Sequence, residues 1–386
     1  MSTGYLKQFQ RAYGLDEIAL VPSLQTLDPS IVDISTTVGG IKLQIPILAS
    51  AMDSVVNPRT AGLLGQLGCG GVLNLEGVQT RYENPDEILT QIASIDRDHY
   101  VELMQEVYQK NEVKEALVIQ RIKEIKAQGV PVLVSSTPQS AARLGKIASE
   151  AGADAFLIQS TVVSTRFISK DNSKNLDLVK FCKEMSIPVM VGNATTTEVT
   201  LELMRTGVKA VFIGIGPGAA CTTRGVLGIG LPMASAIAFG AAARKQYLEE
   251  SGNYVSIISD GGIVNSGDIC KALACGADAV MIGSPFAKAT EAPGQGFHWG
   301  MATPNAVLPR GARIEVGTIG SLKEILLGPS KTDDGTQNIA GAIQTALATL
   351  GAYTIRDMHD IEVVVAPSLL TEGKIYQKAQ RLGMYK

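Results

Sequence analysis

The chain has 386 residues, 45% of them hydrophobic and 18% charged, and a formal net charge of −3. Its length allows one large domain or two ordinary ones, and its slightly acidic balance argues against a nucleic-acid-binding surface. The three histidines are too few for an obvious histidine-based metal site, and the five cysteines form no CxxC pair. Because neither a signal-peptide pattern nor a long uncharged apolar span is visible, we expect a reduced, soluble, cytoplasmic protein with no membrane or nucleic-acid partner.

Residues 1–44 precede the first strongly apolar run and are interpreted as an N-terminal extension. Within it, Asp33–Val38 and Gly40–Ile45 lie on either side of the Gly39-Gly40 dipeptide, which suits a tight turn. We expect these two segments to form a hairpin that closes the bottom of the fold.

Eight apolar runs follow, and each is typical of a strand buried on both faces. They span Ile45–Ser50, Gly70–Leu75, Val130–Ser135, Asp154–Gln159, Ile187–Asn193, Lys209–Gly214, Val255–Asp260 and Asp278–Gly283. Eight such strands alternating with amphipathic helices predict a closed (β/α)8 barrel, a TIM barrel, rather than an open doubly wound sheet. We therefore predict a single barrel domain over residues 1–386, with residues 310–386 as a C-terminal capping segment.

Helix boundaries are marked by recurring local signals. A glycine that closes a helix stands before three of the strands, at Gly152, Gly207 and Gly276. Start signals for the intervening helices are placed at Thr137, Thr195 and Ser266. In the C-terminal segment the pattern predicts helices over Ser321–Leu327 and Thr336–Leu350 and a strand over Glu362–Val365.

Barrel enzymes carry their chemistry on the loops that follow the strands. The informative residues of this chain fall there: Ser50 and Met52 after the first strand, Asn193 after the fifth, Asp260, Gly261 and Gly262 after the seventh, and Gly283 and Ser284 after the eighth. Glycines on loops seven and eight favour a phosphate site, and Asp260 suits ribose hydroxyls. A nucleoside monophosphate fits these parts.

Residues 214–224 read GIGPGAACTTR and follow directly on the sixth strand. Three glycines within five positions let the backbone approach an anion closely, and the chain then presents Cys221 at the same place. The neighbouring Arg224 is expected to favour the thiolate form of a partly exposed thiol. The other four cysteines lie in apolar runs and are interpreted as core residues. The loop therefore suggests a phosphate-anchored substrate that meets a nucleophile.

Together these motifs resemble the IMP dehydrogenase and GMP reductase superfamily, and the resemblance covers nearly the whole chain. The segments that carry it are Ser50-Ala51-Met52-Asp53, Gly192-Asn193, residues 214–224, Asp260-Gly261-Gly262-Ile263, Ser266-Gly267-Asp268, Gly283-Ser284, Glu291-Ala292-Pro293-Gly294 and Gly300-Met301. The resemblance implies a barrel without the regulatory CBS pair that many IMP dehydrogenases insert between strands two and three. Only about 55 residues separate those strands here.

The resemblance implies chemistry at purine C2, where Cys221 adds to the carbon and a nicotinamide cofactor exchanges hydride. The family's dehydrogenase hydrolyses its intermediate with an Arg-Tyr pair on a flap after Gly-Met, and no such dipeptide follows Gly300-Met301 here. The reductase uses a threonine and a glutamate to protonate departing ammonia, which implies catalytic roles for Thr223 and Glu291. We therefore expect NADPH-dependent reduction of GMP to IMP and ammonia. The alternatives are an IMP dehydrogenase, which forms XMP with NAD, and a non-catalytic purine nucleotide-binding protein.

The remaining site residues also follow from the resemblance. It implies further substrate contacts at Gly216, Gly218, Ala219, Gly300, Met301 and Ala302, and a potassium ion held by the carbonyls of Gly216, Gly218 and Cys221. Gln159 and Ser160 stand near the expected nicotinamide ribose, although Gln159 replaces the usual aspartate and Ala219 replaces the usual serine. The resemblance also implies a homotetramer or an octamer.

Two residues near Gly300-Met301 depart from the family pattern. Trp299, the only tryptophan, is either a packing residue or a residue that stacks on the base or cofactor. Arg310 lies where the dehydrogenase has a glutamine that reads the purine.

Overall fold

The computed structural model of the protein describes residues 9–170, 175–366 and 373–383. The N-terminal extension contains three short strands, β1 (Ile18–Leu20), β2 (Thr36–Val38) and β3 (Ile41–Leu43). Strands β2 and β3 pair antiparallel around Gly39 and Gly40, which both have positive φ. The hairpin predicted in this region is therefore present.

The next eight strands form a closed parallel barrel, as predicted. They are β4 (Ile47–Ala49), β5 (Gly70–Asn74), β6 (Leu133–Ser136), β7 (Ala155–Gln159), β8 (Val189–Ala194), β9 (Ala210–Ile213), β10 (Ser256–Asp260) and β11 (Ala279–Ile282). The ring closes because β4 pairs with both β5 and β11. Each predicted run overlaps one of these strands, with ends that differ by up to three residues, and β6 and β8 extend one residue beyond their runs.

Alternate residues of the barrel strands pack in two separate clusters. Leu48, Met190 and Phe212 belong to the interior cluster, whereas Ile47 and Val191 belong to the cluster beneath the helices. Both faces of each strand are thus covered, which explains the continuous apolar runs. Val38 and Leu43 of the hairpin join the interior cluster near the strand starts and close that end of the barrel.

Helices surround the barrel and extend into the C-terminal segment. The first eleven are α1 (Pro58–Gln66), α2 (Pro85–Ser94), α3 (Tyr100–Lys110), α4 (Glu115–Lys126), α5 (Pro138–Ala151), α6 (Leu178–Glu184), α7 (Thr197–Met204), α8 (Thr223–Leu227), α9 (Met233–Ser251), α10 (Ser266–Ala274) and α11 (Ser284–Ala287). In the described part of the chain, 3-10 turns lie at Leu15–Glu17, Pro29–Ile31, Val78–Thr80 and Asp357–Asp360. None of the helices in the described ranges is long and apolar enough to cross a bilayer.

Two of the three predicted helix starts were wrong by one residue. Helix α7 is capped by Thr196, whose hydroxyl accepts from Val199 N, and not by Thr195. Helix α10 is capped by Asn265, whose side chain accepts from Asp268 N, so Ser266 is already inside the helix. Side chains that reach the free N–H groups of the first turn define these starts.

The C-terminal segment packs on the barrel wall. Its first strand, β13 (Arg313–Glu315), pairs antiparallel with β12 (Phe297–Trp299), which precedes the segment. The elements that follow are α12 (Leu322–Leu327), α13 (Ile339–Leu350), β14 (Val363–Val365) and α14 (Ile375–Gln380). Helix α13 packs against α10 and α12, and β14 pairs with β1. The helix predicted over Thr336–Leu350 begins at Ile339, three residues later than expected. Its start is set by Asn338, whose side chain caps the helix by accepting from Gly341 N.

Candidate active site

The loops after β9 and β10 pack against each other at the barrel mouth, which we define as the end where the carboxyl termini of β4–β11 lie. Gly214 leaves β9 with φ +145°, and a Cβ there would collide with the carbonyl oxygen of Asp260. A Cβ at Gly262 would lie 2.9 Å from Cβ of Pro217. Only glycine permits this close approach of the two loops.

Cys221 lies half-buried in the loop after β9, and its Sγ donates to Oγ1 of Thr223 over 3.2 Å. Its backbone N–H donates to the carbonyl of Gly218 at 3.0 Å, which forms the turn that presents the thiol. Cys69 and Cys275 differ: burial raises the pKa of the Cys69 thiol, and raises the pKa of Cys275 to about 11. The loop cysteine is therefore the one placed for chemistry at the mouth.

The segment between β12 and β13 lies against the cysteine loop. Thr222 N donates to the carbonyl of Arg310 at 3.4 Å, and Ala312 N donates to the carbonyl of Ala220 at 2.9 Å. Cys221 and Gly311 form an isolated antiparallel bridge. These contacts bring Arg310 beside the thiol loop, and its guanidinium donates to Oγ1 of Thr161 after β7.

Polar side chains from three different strands, Gln159, Asn193 and Asp260, contact one another at the mouth. Oδ2 of Asp260 accepts from Nδ2 of Asn193 at 2.7 Å and from Nε2 of Gln159 at 2.8 Å. Burial raises the pKa of Asp260 to about 6, while the two amide donors act in the opposite direction. The carboxyl group therefore holds its proton more strongly than an ordinary aspartate does.

The loops after β4 and β11 bring Met52, Gly283 and His298 together. A Cβ at Gly283 would lie 3.3 Å from Sδ of Met52 and 3.0 Å from Cε1 of His298. The Nδ1 atom of His298 hydrogen-bonds Oγ of Ser54 at 3.0 Å, and burial lowers the pKa of this histidine to about 4. A neutral imidazole thus lies beside two predicted substrate residues. Sequence reasoning missed His298 as a site residue, although it stands two residues before Gly300.

Helix α3 and the barrel mouth are joined by a buried polar chain. Oδ2 of Asp53 accepts from the hydroxyl of Tyr108 at 2.6 Å and from Val78 N at 2.9 Å. Nε1 of Trp299 donates to the same tyrosine hydroxyl at 3.2 Å, and Trp299 is fully buried beside Met104. Of the two roles open for Trp299, the structure shows packing.

The remaining predicted contacts follow the same loops. Gly216, Gly218 and Ala219 lie in the cysteine loop, Ser50 N donates to the carbonyl of Ile282, Ser284 begins α11, and Gly300, Met301 and Ala302 lie in the segment over that loop. Within the described ranges, no group of three or more His, Cys, Asp or Glu side chains could hold a metal ion.

Comparisons with known proteins decide the family. A model of the IMP dehydrogenase/GMP reductase domain matches residues 12–304. The chain belongs to the IMP dehydrogenase/GMP reductase family.

Proteins that resemble the chain align with most of its length. A Mycolicibacterium smegmatis protein, named as an uncharacterized oxidoreductase, is 35% identical over 92% of this chain and 97% of its own. A Methanocaldococcus jannaschii inosine-5'-monophosphate dehydrogenase is 28% identical over 75% of this chain and 74% of its own. The crystal structure of an IMP dehydrogenase/GMP reductase-like protein from Corynebacterium glutamicum superposes with a TM-score of 0.88 at 33% identity, covering 95% of this chain and 97% of that one. The chain is thus an oxidoreductase of this family.

Two charged residues expected to act at the site, Glu291 and Arg224, contact other groups of the protein. The Glu291 carboxylate accepts from Leu322 N at 3.0 Å and from the Thr290 hydroxyl at 2.9 Å, and among the described residues no hydrogen bond joins it to Thr223. Arg224 donates to the carbonyls of Ile215 and Leu231. Its guanidinium braces the loop backbone, in contrast to the expected role beside the thiol.

The two predicted cofactor residues are also engaged within the protein. The amide of Gln159 is bound to Asp260, and the backbone of Ser160 exchanges hydrogen bonds with Gly192 and Asn193. The cofactor contacts expected of Gln159 and Ser160 stay predictions.

Proposed function

We propose that this chain acts on C2 of a purine nucleoside monophosphate through a covalent Cys221 adduct, and that it oxidises IMP to XMP. The site supports a nucleotide of this kind. A thiol stands at the rim of a glycine-lined mouth, and the Asp260 carboxyl stands at the end of β10. Ser50, Met52, Gly283 and Ser284 complete the proposed substrate rim, with backbone groups of the cysteine loop toward the phosphate.

The proposed reaction balances with water and one dinucleotide co-substrate. The Cys221 sulfur bonds to C2 of IMP as the thiol proton passes to N3 of the base, and the hydride on C2 leaves with its electron pair to the nicotinamide of NAD. A water oxygen then bonds to C2 and the C–S bond breaks. One water proton restores the thiol, and the other passes to solvent. Thr223 holds the thiol through its hydroxyl at 3.2 Å, and Arg310 lies on the segment that covers the same loop.

The position of Glu291 carries the choice of direction. Reductive deamination needs an acid near Thr223, because ammonia leaves C2 only when it is protonated. The carboxylate expected to supply that proton is bound to the first N–H of α12. Two relatives, from Methanocaldococcus jannaschii and Cryptosporidium parvum, are named inosine-5'-monophosphate dehydrogenases.

The GMP reductase reaction predicted from the sequence, GMP to IMP and ammonia with NADPH, is the second candidate. One observation favours it: no Arg-Tyr dipeptide follows Gly300-Met301, so the water-activating pair of the dehydrogenase is absent from that segment. A purine nucleotide-binding protein without catalysis is the third possibility.

A monovalent cation and a homo-oligomer, tetramer or octamer, belong to the same proposal. The carbonyl of Gly218 already accepts from Cys221 N, so a cation would share it or rely on Gly216 and Cys221.

An absorbance assay at the reduced nicotinamide band tests the direction. The protein is mixed with IMP and NAD, and in parallel with GMP and NADPH. We expect the band to appear with IMP, and Cys221→Ala to abolish the signal while Cys182→Ala, a cysteine away from the mouth, retains it. If the band disappears in the assay with GMP and NADPH and does not change in the assay with IMP and NAD, the protein is a reductase. No absorbance change in either assay, together with tight nucleotide binding, would show a binding protein.

A further inference from the structure

The side chain of Gln159 reaches across the barrel mouth. It leaves the carboxyl end of β7, and the acceptor of its amide, Asp260, ends β10. Strands β8 and β9 lie between these two in the ring, so the 2.8 Å hydrogen bond from Nε2 to Oδ2 spans the mouth rather than joining neighbouring strands.

Gln159 and Asn193 act on the same carboxylate oxygen. Nδ2 of Asn193 donates to Oδ2 of Asp260 at 2.7 Å, and Nε2 of Gln159 also lies 3.3 Å from Oδ1 of Asn193. The three side chains therefore form a closed set of contacts in which Oδ2 receives both amide donors. Charge-assisted hydrogen bonds of this length fix the rotation of the carboxylate.

The second oxygen of Asp260 is left for a ligand. Within the described ranges both hydrogen bonds of the carboxylate go to Oδ2. The other oxygen, Oδ1, accepts neither of them and is not fully enclosed by protein atoms. An accessible carboxylate oxygen at the mouth suits a neutral hydroxyl donor, and the nucleotide carries two adjacent hydroxyls on its ribose.

We propose that Gln159 is a positioning residue for the nucleotide ribose, which it serves by holding Asp260 so that Oδ1 faces the ribose hydroxyls. This assignment rests on the proposed function, since it requires a nucleotide at the mouth. It moves Gln159 from the cofactor side of the site, where the family resemblance placed it, to the substrate side.

The test compares two ligands that differ only in the ribose hydroxyls. Binding of IMP and of 2′,3′-dideoxy-IMP is measured by calorimetry without dinucleotide, for the wild type, Gln159→Leu and Asp260→Asn. We expect Gln159→Leu to weaken IMP binding about tenfold, the size expected for one charge-assisted hydrogen bond, and to weaken dideoxy-IMP binding less than about twofold. The exposed Gln66→Leu is the matched control and should change neither affinity.

Each outcome decides a different claim. Equal weakening for both ligands would show a general structural role and overturn the positioning role, and unchanged IMP affinity would overturn it as well. If the wild type bound neither nucleotide, the proposed function itself would fail, and the assignment with it. Fluorescence of the buried Trp299, unchanged in the variants, would show that each one folds.

Discussion

The two ends of the barrel are built from the same eight strands but hold opposite kinds of side chain. At the hairpin end, Val38 and Leu43 pack with Leu48 and Met190 in a closed apolar cluster. At the mouth, the same strands end in polar groups such as Asn193 and Asp260. The difference shows that packing at one end supports the geometry of a polar site at the other, because a rigid apolar floor keeps the strand ends in place.

The largest expected effect is the loss of the nucleophile at the mouth. Cys221→Ala should lower kcat by at least about a thousandfold, because no other group can bond to C2, while IMP affinity changes little. Steady-state kinetics and calorimetry on the same preparation measure both quantities. Turnover within tenfold of the wild type would break the assignment of the site.

A truncation at the closed end should affect stability and leave the chemistry nearly intact. Leu43→Ala removes a side chain that is 1% exposed, and we expect it to lower the free energy of unfolding by about 2–5 kcal/mol. Denaturant unfolding measures this change, with the exposed Leu24→Ala as control. A stable variant with greatly reduced kcat would contradict the separation of roles between the two ends.

The pH dependence of nucleotide binding should report the Asp260 carboxyl. Its pKa is raised to about 6, so the group binds a proton as pH falls through that value and loses its strength as an acceptor. We expect the affinity for IMP to decline below about pH 6 in the wild type and to decline less in Asp260→Asn. Because the IMP phosphate titrates in both experiments, comparing the two proteins cancels its contribution. Parallel pH profiles for the two proteins would contradict this role.

The smallest expected effect is at Glu291, outside the proposed chemistry. Glu291→Gln should leave kcat within about threefold and lower stability by about 1 kcal/mol or less, because it weakens one acceptor at the start of α12. Kinetics with both nucleotide pairs, alongside thermal unfolding, provide the measurement. A hundredfold fall in GMP reduction would restore Glu291 as the acid and favour the reductase.

The sequence predicted the barrel well because its signals are local. Strands buried on both faces give unbroken apolar runs, and glycines with positive φ end the helices at Gly152, Gly207 and Gly276. The same locality placed Cys221 and Thr223 on one short loop, where their side chains meet.

The contacts that the sequence did not reveal join residues that lie far apart along the chain. Glu291 is bound by a residue 31 positions further along the chain, and Gln159 by one 101 positions further. His298 was missed because its place beside Gly283 depends on the pairing of β12 with β13. Partners of polar side chains at a barrel mouth come from several strands at once, so spacing in the sequence does not reveal them.

Mass spectrometry of the Cys221 peptide tests the central claim most directly. The protein is quenched during turnover with IMP and NAD, digested, and examined for a nucleotide attached to that cysteine. The account predicts a purine nucleotide adduct on the Cys221 peptide and on no other cysteine peptide. An unmodified Cys221 peptide from an enzyme that is converting IMP would contradict it.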